Sequence, residues 1–359
     1  MTGATVSGAV ERAWCGDTPA RRCAVALLVP ASLVYGAAIR VRNACWDLGL
    51  LTPEHVAAHV VSVGNLTVGG SGKTPVTIWL AEAFMRRGRR VGVVARGYGK
   101  RRVGVVVVGV DGRPLVTPEE GGDEAVLVAR RLAVAVVTGE RRVQAARRAC
   151  TEFGCDTIVL DDGFQHRALA RDADLVLVGA DGHPARLLPA GPLRESVRAL
   201  ERARAVLALG DEPALPAAPR VPAGVAAFSG RIAPSAGVRV EDDVFVAHDL
   251  ALVPRQGVIA VAGVARPERF WRMLDRLGIR ATEHLRFPDH HAYGPADVER
   301  LQQAGAGVVT TEKDLVKLAR VPGLRTIPLH AIRLAVEVKD GERLVDLLLQ
   351  PGEVALRPD

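Results

Sequence analysis

From His59 onward, short valine-rich runs alternate with stretches whose apolar residues recur at helical spacing. His59 to Val63, Val91 to Ala95, Val103 to Val110, Val134 to Thr138, Thr157 to Leu160 and Leu175 to Val178 read as strands. Runs that are apolar at nearly every position belong to strands buried on both faces, with the intervening helices serving as crossovers. The pattern therefore predicts a mostly parallel α/β sheet with helices on both faces. Between Asp211 and Val238 proline, alanine and glycine accumulate (DEPALPAAPRVPAG), which reads as an interdomain connection. A smaller α/β unit follows: strand Val258 to Ala262, helices Pro267 to Leu277 and Pro295 to Ala304, strand Gly307 to Thr311 and a closing helix near Glu342 to Leu349.

Ahead of this alternation lies a different pattern. Cys23 to Ile39 (CAVALLVPASLVYGAAI) is 17 uncharged positions, bounded by Arg21 and Arg22 before and by Arg40 and Arg42 after. As a helix it is about 26 Å long, short for a hydrocarbon core of roughly 30 Å, and Pro30 weakens a simple span. It reads as a monotopic or shallow membrane helix whose arginines meet anionic headgroups. A buried core helix and a cleaved signal are the alternatives. At 359 residues the chain exceeds what one core usually serves. The expected division is a membrane-associated helical segment at 1–50, a nucleotide-binding domain at 51–225 and the smaller unit at 226–359.

Composition changes this picture in three places. Aromatics are 4% of the chain, so its core is built from Ala, Val and Leu. The 47 Lys and Arg against 40 Asp and Glu leave +7, which favours acidic partners such as phosphates or anionic lipid. Cys15, Cys23, Cys45, Cys150 and Cys155 are odd in number and lack a C-x2-C pair, against both a disulfide framework and a structural zinc site.

The strongest chemical signal is Gly69-Gly70-Ser71-Gly72-Lys73-Thr74, directly after an apolar strand and before the helix Pro75 to Arg87. Glycines let backbone N–H groups turn inward around phosphate oxygens, and the helix N-terminus adds positive potential. Lys73 reaches the β- and γ-phosphates and Thr74 ligates Mg²⁺ in such a loop. The general pattern wants glycine where this chain has Thr67. Asp161 and Asp162 follow another strand, at the carboxyl edge where ligands bind in such sheets, so either is a natural Mg²⁺ partner; a solvated turn is the bland reading. Asp123, after Gly121-Gly122, reads from spacing alone as a helix cap. Pro189 to Glu195 is a rigid loop delivering Arg194, and Phe287-Pro288-Asp289-His290-His291 presents imidazoles beside a carboxylate. Thr310-Thr311-Glu312-Lys313-Asp314 ends a strand and opens a helix, largely explained by capping. Arg86 to Arg102 carries eight basic residues and no acidic one, but its single Tyr98 makes lipid or substrate phosphate at least as good a reading as nucleic acid.

Together these motifs resemble one family, the tetraacyldisaccharide 4'-kinases, which phosphorylate the lipid A precursor in Gram-negative bacteria. The resemblance spans nearly the whole chain: the apolar start, Val63 to Pro75 with its Gly64-Asn65-Leu66-Thr67, Arg96-Gly97-Tyr98-Gly99, Gly122-Asp123-Glu124, Asp161 to His166, Leu188 to Glu195, Asp289-His290 and Thr311-Glu312-Lys313-Asp314. It implies that Asp123 is the base for the sugar hydroxyl with His290 as its partner, beside Lys73. It further implies that Asp161 and Asp162 serve Mg²⁺ and the nucleotide, and that Gln165 and His166 serve phosphates or disaccharide. Arg141 and Arg194 would neutralise phosphate charge, with Glu195 beside them in the substrate-binding group. The family usually continues G-D-E-P where this chain has Ala125. The asserted reading is a two-domain kinase at the cytoplasmic face of the bacterial inner membrane, using ATP and Mg²⁺ on an acylated glucosamine disaccharide 1-phosphate, with no nucleic-acid partner expected. Its rival is a membrane-anchored P-loop switch ATPase or GTPase; a nucleic-acid-binding ATPase stands third.

Overall fold

The computed structural model describes residues 19–350 apart from 71, 180–185, 212–214, 242–243, 303–306 and 325. The first half contains α1 (Pro19–Asp47), β1 (His59–Asn65), α2 (Lys73–Arg86), β2 (Val91–Ala95), β3 (Val106–Val110), β4 (Arg113–Pro114), α3 (Pro118–Gly121), α4 (Asp123–Arg131), β5 (Ala135–Thr138), α5 (Arg142–Phe153), β6 (Thr157–Asp161), β7 (Ala173–Gly179) and β8 (Ala205–Asp211). The second half contains β9 (Ala226–Glu241), β10 (Val244–His248), β11 (Val258–Ala262), α6 (Pro267–Arg276), β12 (Ala281–Arg286), α7 (Pro295–Leu301), β13 (Gly307–Thr311), α8 (Glu312–Leu318), β14 (Leu329–Val338) and α9 (Gly341–Leu349).

Among the described residues all strands join one sheet in the order β12-β11-β13-β14-β9-β8-β7-β1-β6-β2-β5-β3-β4, with β10 on β9. Pairing is parallel from β8 to β5 and again among β12, β11, β13 and β14. The central strands are apolar on both faces, as buried parallel strands require. Val61, Val63, Val93 and Val159 pack with Val76, Leu80 and Phe84 of α2 on one side. Val60, Val94, Ile158 and Leu160 pack with Ala145, Ala146 and Ala149 of α5 on the other. Each of these buried Val, Leu, Ile and Phe side chains contributes about 1.5–3 kcal/mol.

The expected connection between Asp211 and Val238 holds as far as Val225, where the described residues form neither helix nor strand, and is corrected beyond it: from Ala226 the chain is the 16-residue strand β9. Its start pairs in parallel with β8, and from Gly230 it pairs antiparallel with β14. The register shift where Pro234 faces Leu334 explains why this stretch does not read as a strand, because proline enters a ladder only where the pairing is irregular. One strand thus carries the sheet from the first half into the second. Strand carboxyl ends from both halves open onto a shared cleft of about 1900 Å³.

Helix α1 docks by one polar face. Ser32 donates to the Leu187 carbonyl at 2.9 Å, Tyr35 to that of Arg194 at 2.9 Å and Arg42 to that of Gln165 at 2.5 Å. Asn43 donates to Glu195 Oε2 at 3.0 Å. Leu27, Leu33, Val34 and Val41 are 82%, 66%, 71% and 65% exposed, so the alternative of a buried core helix does not hold. Val25–Asp47 is long and apolar enough to cross a membrane by length and composition. The side chains of Arg21 and Arg22 lie outside the described residues.

Candidate active site

The phosphate loop takes its shape from β1 and α2. Strand β1 is buried along its length and ends at Asn65. Helix α2 begins at Lys73, two residues before Pro75, which sits within the first turn where its missing N–H costs nothing. Gly72 precedes the helix with φ 78, the left-handed conformation that favours glycine, and a Cβ there would also press on Ile232 Cδ1 at 2.5 Å. Among the described residues no side chain caps this helix, which leaves its first N–H groups open to the cleft that Gly69, Gly70, Gly72, Lys73 and Thr74 line. Ser71 lies outside the described residues. Lys73 Nζ donates to Asn65 Oδ1 at 3.4 Å and lies 3.6 Å from Asp162 Oδ1.

Two neighbouring carboxylates at the end of β6 have opposite electrostatics. Asp161 is buried and accepts from Thr77 Oγ1 at 3.1 Å. Burial, with Glu124 and Asp162 adding like charge, pushes its carboxyl up to about 7. Burial acts on Asp162 in the same sense, but Lys73 and Arg194 outweigh it and hold that carboxyl below its usual range. Arg194 Nη1 lies 3.0 Å from both Asp162 oxygens. Asp162 has φ 52, a left-handed conformation that costs a non-glycine residue about 1–2 kcal/mol. Gln165 donates to the Asn65 carbonyl at 2.9 Å. Burial and the cations Arg142, Arg171, Arg42 and Arg96 drive His166 down to about 4, so its imidazole is neutral among arginines. Glu195 is 1% exposed and paired with Arg202 at 2.9 Å.

The same cleft is lined by Asp123, the first residue of α4. Gly122 before it has φ 93, and a Cβ there would lie 3.1 Å from the Gly97 backbone. His290 Nδ1 lies 3.0 Å from each Asp123 oxygen. Burial alone would raise the Asp123 carboxyl, but the His290 hydrogen bond, Lys313 and Lys317 hold it well below the usual carboxylate range. Burial likewise opposes protonation of His290, and the bond to Asp123 with the nearby Asp289 charge raises its pKa nonetheless. His290 has φ 60, so both strained non-glycine positions named here lie in the cleft. Its ring packs on Tyr98 with centroids 4.9 Å apart. Lys313 and Lys317 reach from α8 to 3.9 Å and 3.7 Å of Asp123 Oδ2.

Most residues expected to act together line this one cleft. Arg141 does not: it is exposed at the start of α5, while the buried Arg142 beside it faces the cleft. Burial and Arg96 lower the Arg142 pKa from its ordinary value. Sequence reasoning also missed Arg42, Arg96, Lys313 and Lys317. For Lys313 the signal was there: capping accounts for Thr311 and Asp314, whose mutual bonds of 2.8 and 3.1 Å close the first turn of α8. It leaves Glu312 and Lys313 unexplained, and both reach across to α4. Glu312 pairs with Arg131 at 2.7 Å and Arg333 at 2.9 Å. His291 pairs with Asp297 at 2.9 Å, apart from His290, and no group of three or more metal-type ligands occurs among the described residues.

A phosphate loop on one wall and an imidazole-held carboxylate on the other, in a doubly wound sheet, define a P-loop phosphotransferase. The family described as LpxK, tetraacyldisaccharide-1-P 4'-kinase, matches residues 24–352. The tetraacyldisaccharide 4'-kinase of Anaeromyxobacter sp. (strain Fw109-5) is 41% identical over 375 residues, covering 97% of this chain and 98% of the relative. That of Koribacter versatilis (strain Ellin345) is 38% identical over 333 residues, covering 89% and 97%. A crystal structure of LpxK from Aquifex aeolicus in complex with ATP superposes with a TM-score of 0.76 at 32% identity, covering 90% of this chain and 98% of that one. This chain belongs to the tetraacyldisaccharide 4'-kinase family.

Proposed function

We propose that this chain transfers the γ-phosphoryl group of ATP to the 4'-hydroxyl of an acylated glucosamine disaccharide 1-phosphate, a step of lipid A biosynthesis. One observation carries the reading beyond family membership: a carboxylate held by an imidazole at 3.0 Å faces the same cleft as the phosphate-loop lysine. Phosphoryl transfer needs positioning, charge neutralisation and removal of one proton. The first-turn N–H groups of α2 and Lys73 grip the phosphates. Asp123 accepts the hydroxyl proton while the attacking oxygen bonds to the γ-phosphorus and ADP departs. Arg194, Arg142, Gln165 and His166 meet the acceptor and phosphate oxygens.

The donor set suits Mg²⁺. Thr74, Asp161 and Asp162 offer hard oxygens beside the loop, and the carboxyl crowding that raises Asp161 is what a divalent cation relieves. Mg²⁺ usually takes one or two carboxylates plus substrate phosphates, so an all-protein cage is not needed. When bound, the ion neutralises charge on the transferring group.

The exposed apolar face of α1, continued by Leu48 and Leu50 at 71% and 72% exposure, docks the enzyme on the cytoplasmic face of the inner membrane. The acyl chains then stay in the bilayer while the sugar enters the cleft. Residues 1–50, 51–225 and 226–359 act as anchor, nucleotide-binding domain and partner domain. The test is incubation of the purified protein with ATP, Mg²⁺ and the disaccharide lipid in detergent. A new 4'-phosphate by mass spectrometry is expected; its absence from folded protein, or hydrolysis of ATP unaffected by lipid, contradicts the reading.

A further inference from the structure

We infer that Lys313 is a positioning residue: its ammonium donates to His290 Nε2 and so fixes the imidazole as the Nδ1–H tautomer that faces Asp123. The inference deepens the proposed function, since it rests on Asp123 as the base.

The argument is one of donors and acceptors. An ammonium has three N–H donors and no lone pair. Lys313 Nζ lies 2.9 Å from Asp289 Oδ1, 3.0 Å from Glu124 Oε1 and 3.3 Å from His290 Nε2, one acceptor for each proton. Burial disfavours its charge, but Glu124, Asp123 and Asp289 more than compensate and raise its pKa. The charged lysine can sit against Nε2 only if that nitrogen presents its lone pair. The ring proton is therefore on Nδ1, which donates to the Asp123 carboxylate at 3.0 Å.

The clamp is built from three elements. Glu124 belongs to α4, Asp289 and His290 to the loop after β12, and Lys313 to α8. Asp314, fully buried, secures that corner by accepting from Gly263 N at 2.9 Å and from Tyr293 Oη at 3.0 Å. The groups facing His290 are Asp123, Asp289 at 3.8 Å from Nε2, Lys313 and the Tyr98 ring, with Lys317 behind Asp123. Both carboxylates favour imidazolium and Lys313 opposes it. A neutral imidazole leaves Asp123 more basic than an adjacent imidazolium would, which is the state a proton acceptor needs.

Nitrogen-15 NMR of histidine-labelled wild-type protein at about pH 8 reads the tautomer without any turnover, the His290 signals being assigned by their loss in His290→Gln. Protonated Nδ1 with unprotonated Nε2 is expected; the opposite tautomer, or an imidazolium at that pH, overturns the inference whether or not the protein proves to be a kinase. In Lys313→Met the acidic limb of kcat against pH should move up by about one unit, with the KM for ATP unchanged. Lys313→Arg, which keeps the charge, should return the limb toward wild type. A limb that stays in place while kcat falls shows a merely structural lysine and overturns the inference. Should Lys313→Met not fold, the wild-type spectrum decides alone.

Discussion

The two walls of the cleft are assembled in different ways. The phosphate wall comes from one strand–loop–helix unit and the end of a neighbouring strand: Asn65, the glycine loop, Lys73 and Thr74, with Asp161 and Asp162 beside them. The proton wall is put together from distant parts of the chain. His290 meets Asp123 across 167 positions, and Lys313 meets Glu124 across 189. Gripping a phosphate is a backbone task that one turn performs locally. Tuning a carboxylate takes several charges at fixed distances, which only tertiary structure brings together.

Substitutions on the phosphate wall should remove both binding and turnover. Lys73→Met takes away the charge on the β- and γ-phosphates, so kcat/KM should fall about 10³-fold with weaker ATP binding by calorimetry. Intact ATP affinity would break the contrast between the walls. On the proton wall, His290→Gln should lower kcat about 10²-fold while ATP affinity stays near wild type. The wild-type acidic limb follows from the same pair. The His290 pKa is raised above 6.5, so turnover should fall as pH drops through a value above 6.5; a midpoint below it contradicts the assigned pairing.

How much of this was legible follows from the same contrast. Glycines, a lysine and a threonine in six consecutive positions announce a phosphate loop, and valine runs announce the strands around it. By spacing Asp123 announced only a cap, and its role as base came from the family resemblance alone, because the hydrogen bond that changes its role comes from another part of the chain. The resemblance pointed to Arg141 rather than the adjacent Arg142, because a motif match does not say which of two neighbouring side chains turns inward at a helix start. Strand β9 was concealed by the composition that makes it useful: proline and glycine accompany the register shift where it passes from one half to the other.

Two smaller effects sharpen the comparison. Glu312→Gln removes the charge of a carboxylate that is 7% exposed and leaves the Arg131 and Arg333 cations uncompensated between α8, α4 and β14, for a loss of about 3 kcal/mol in urea unfolding. An unchanged midpoint would mean that the second half is not held against the first through this pair. Leu33→Glu with Val34→Glu, on the exposed face of α1, should weaken binding to anionic vesicles about tenfold while leaving turnover in detergent near wild type. Equal flotation of variant and wild type would remove α1 from the docking role.

The most direct measurement is single-turnover transfer by Asp123→Asn, run beside its ATP affinity. With Lys73 and the glycine loop intact, ATP should bind within about twofold of wild type while phosphate transfer to the disaccharide lipid slows by about 10²–10⁴. Transfer at the wild-type rate would contradict Asp123 as the proton acceptor.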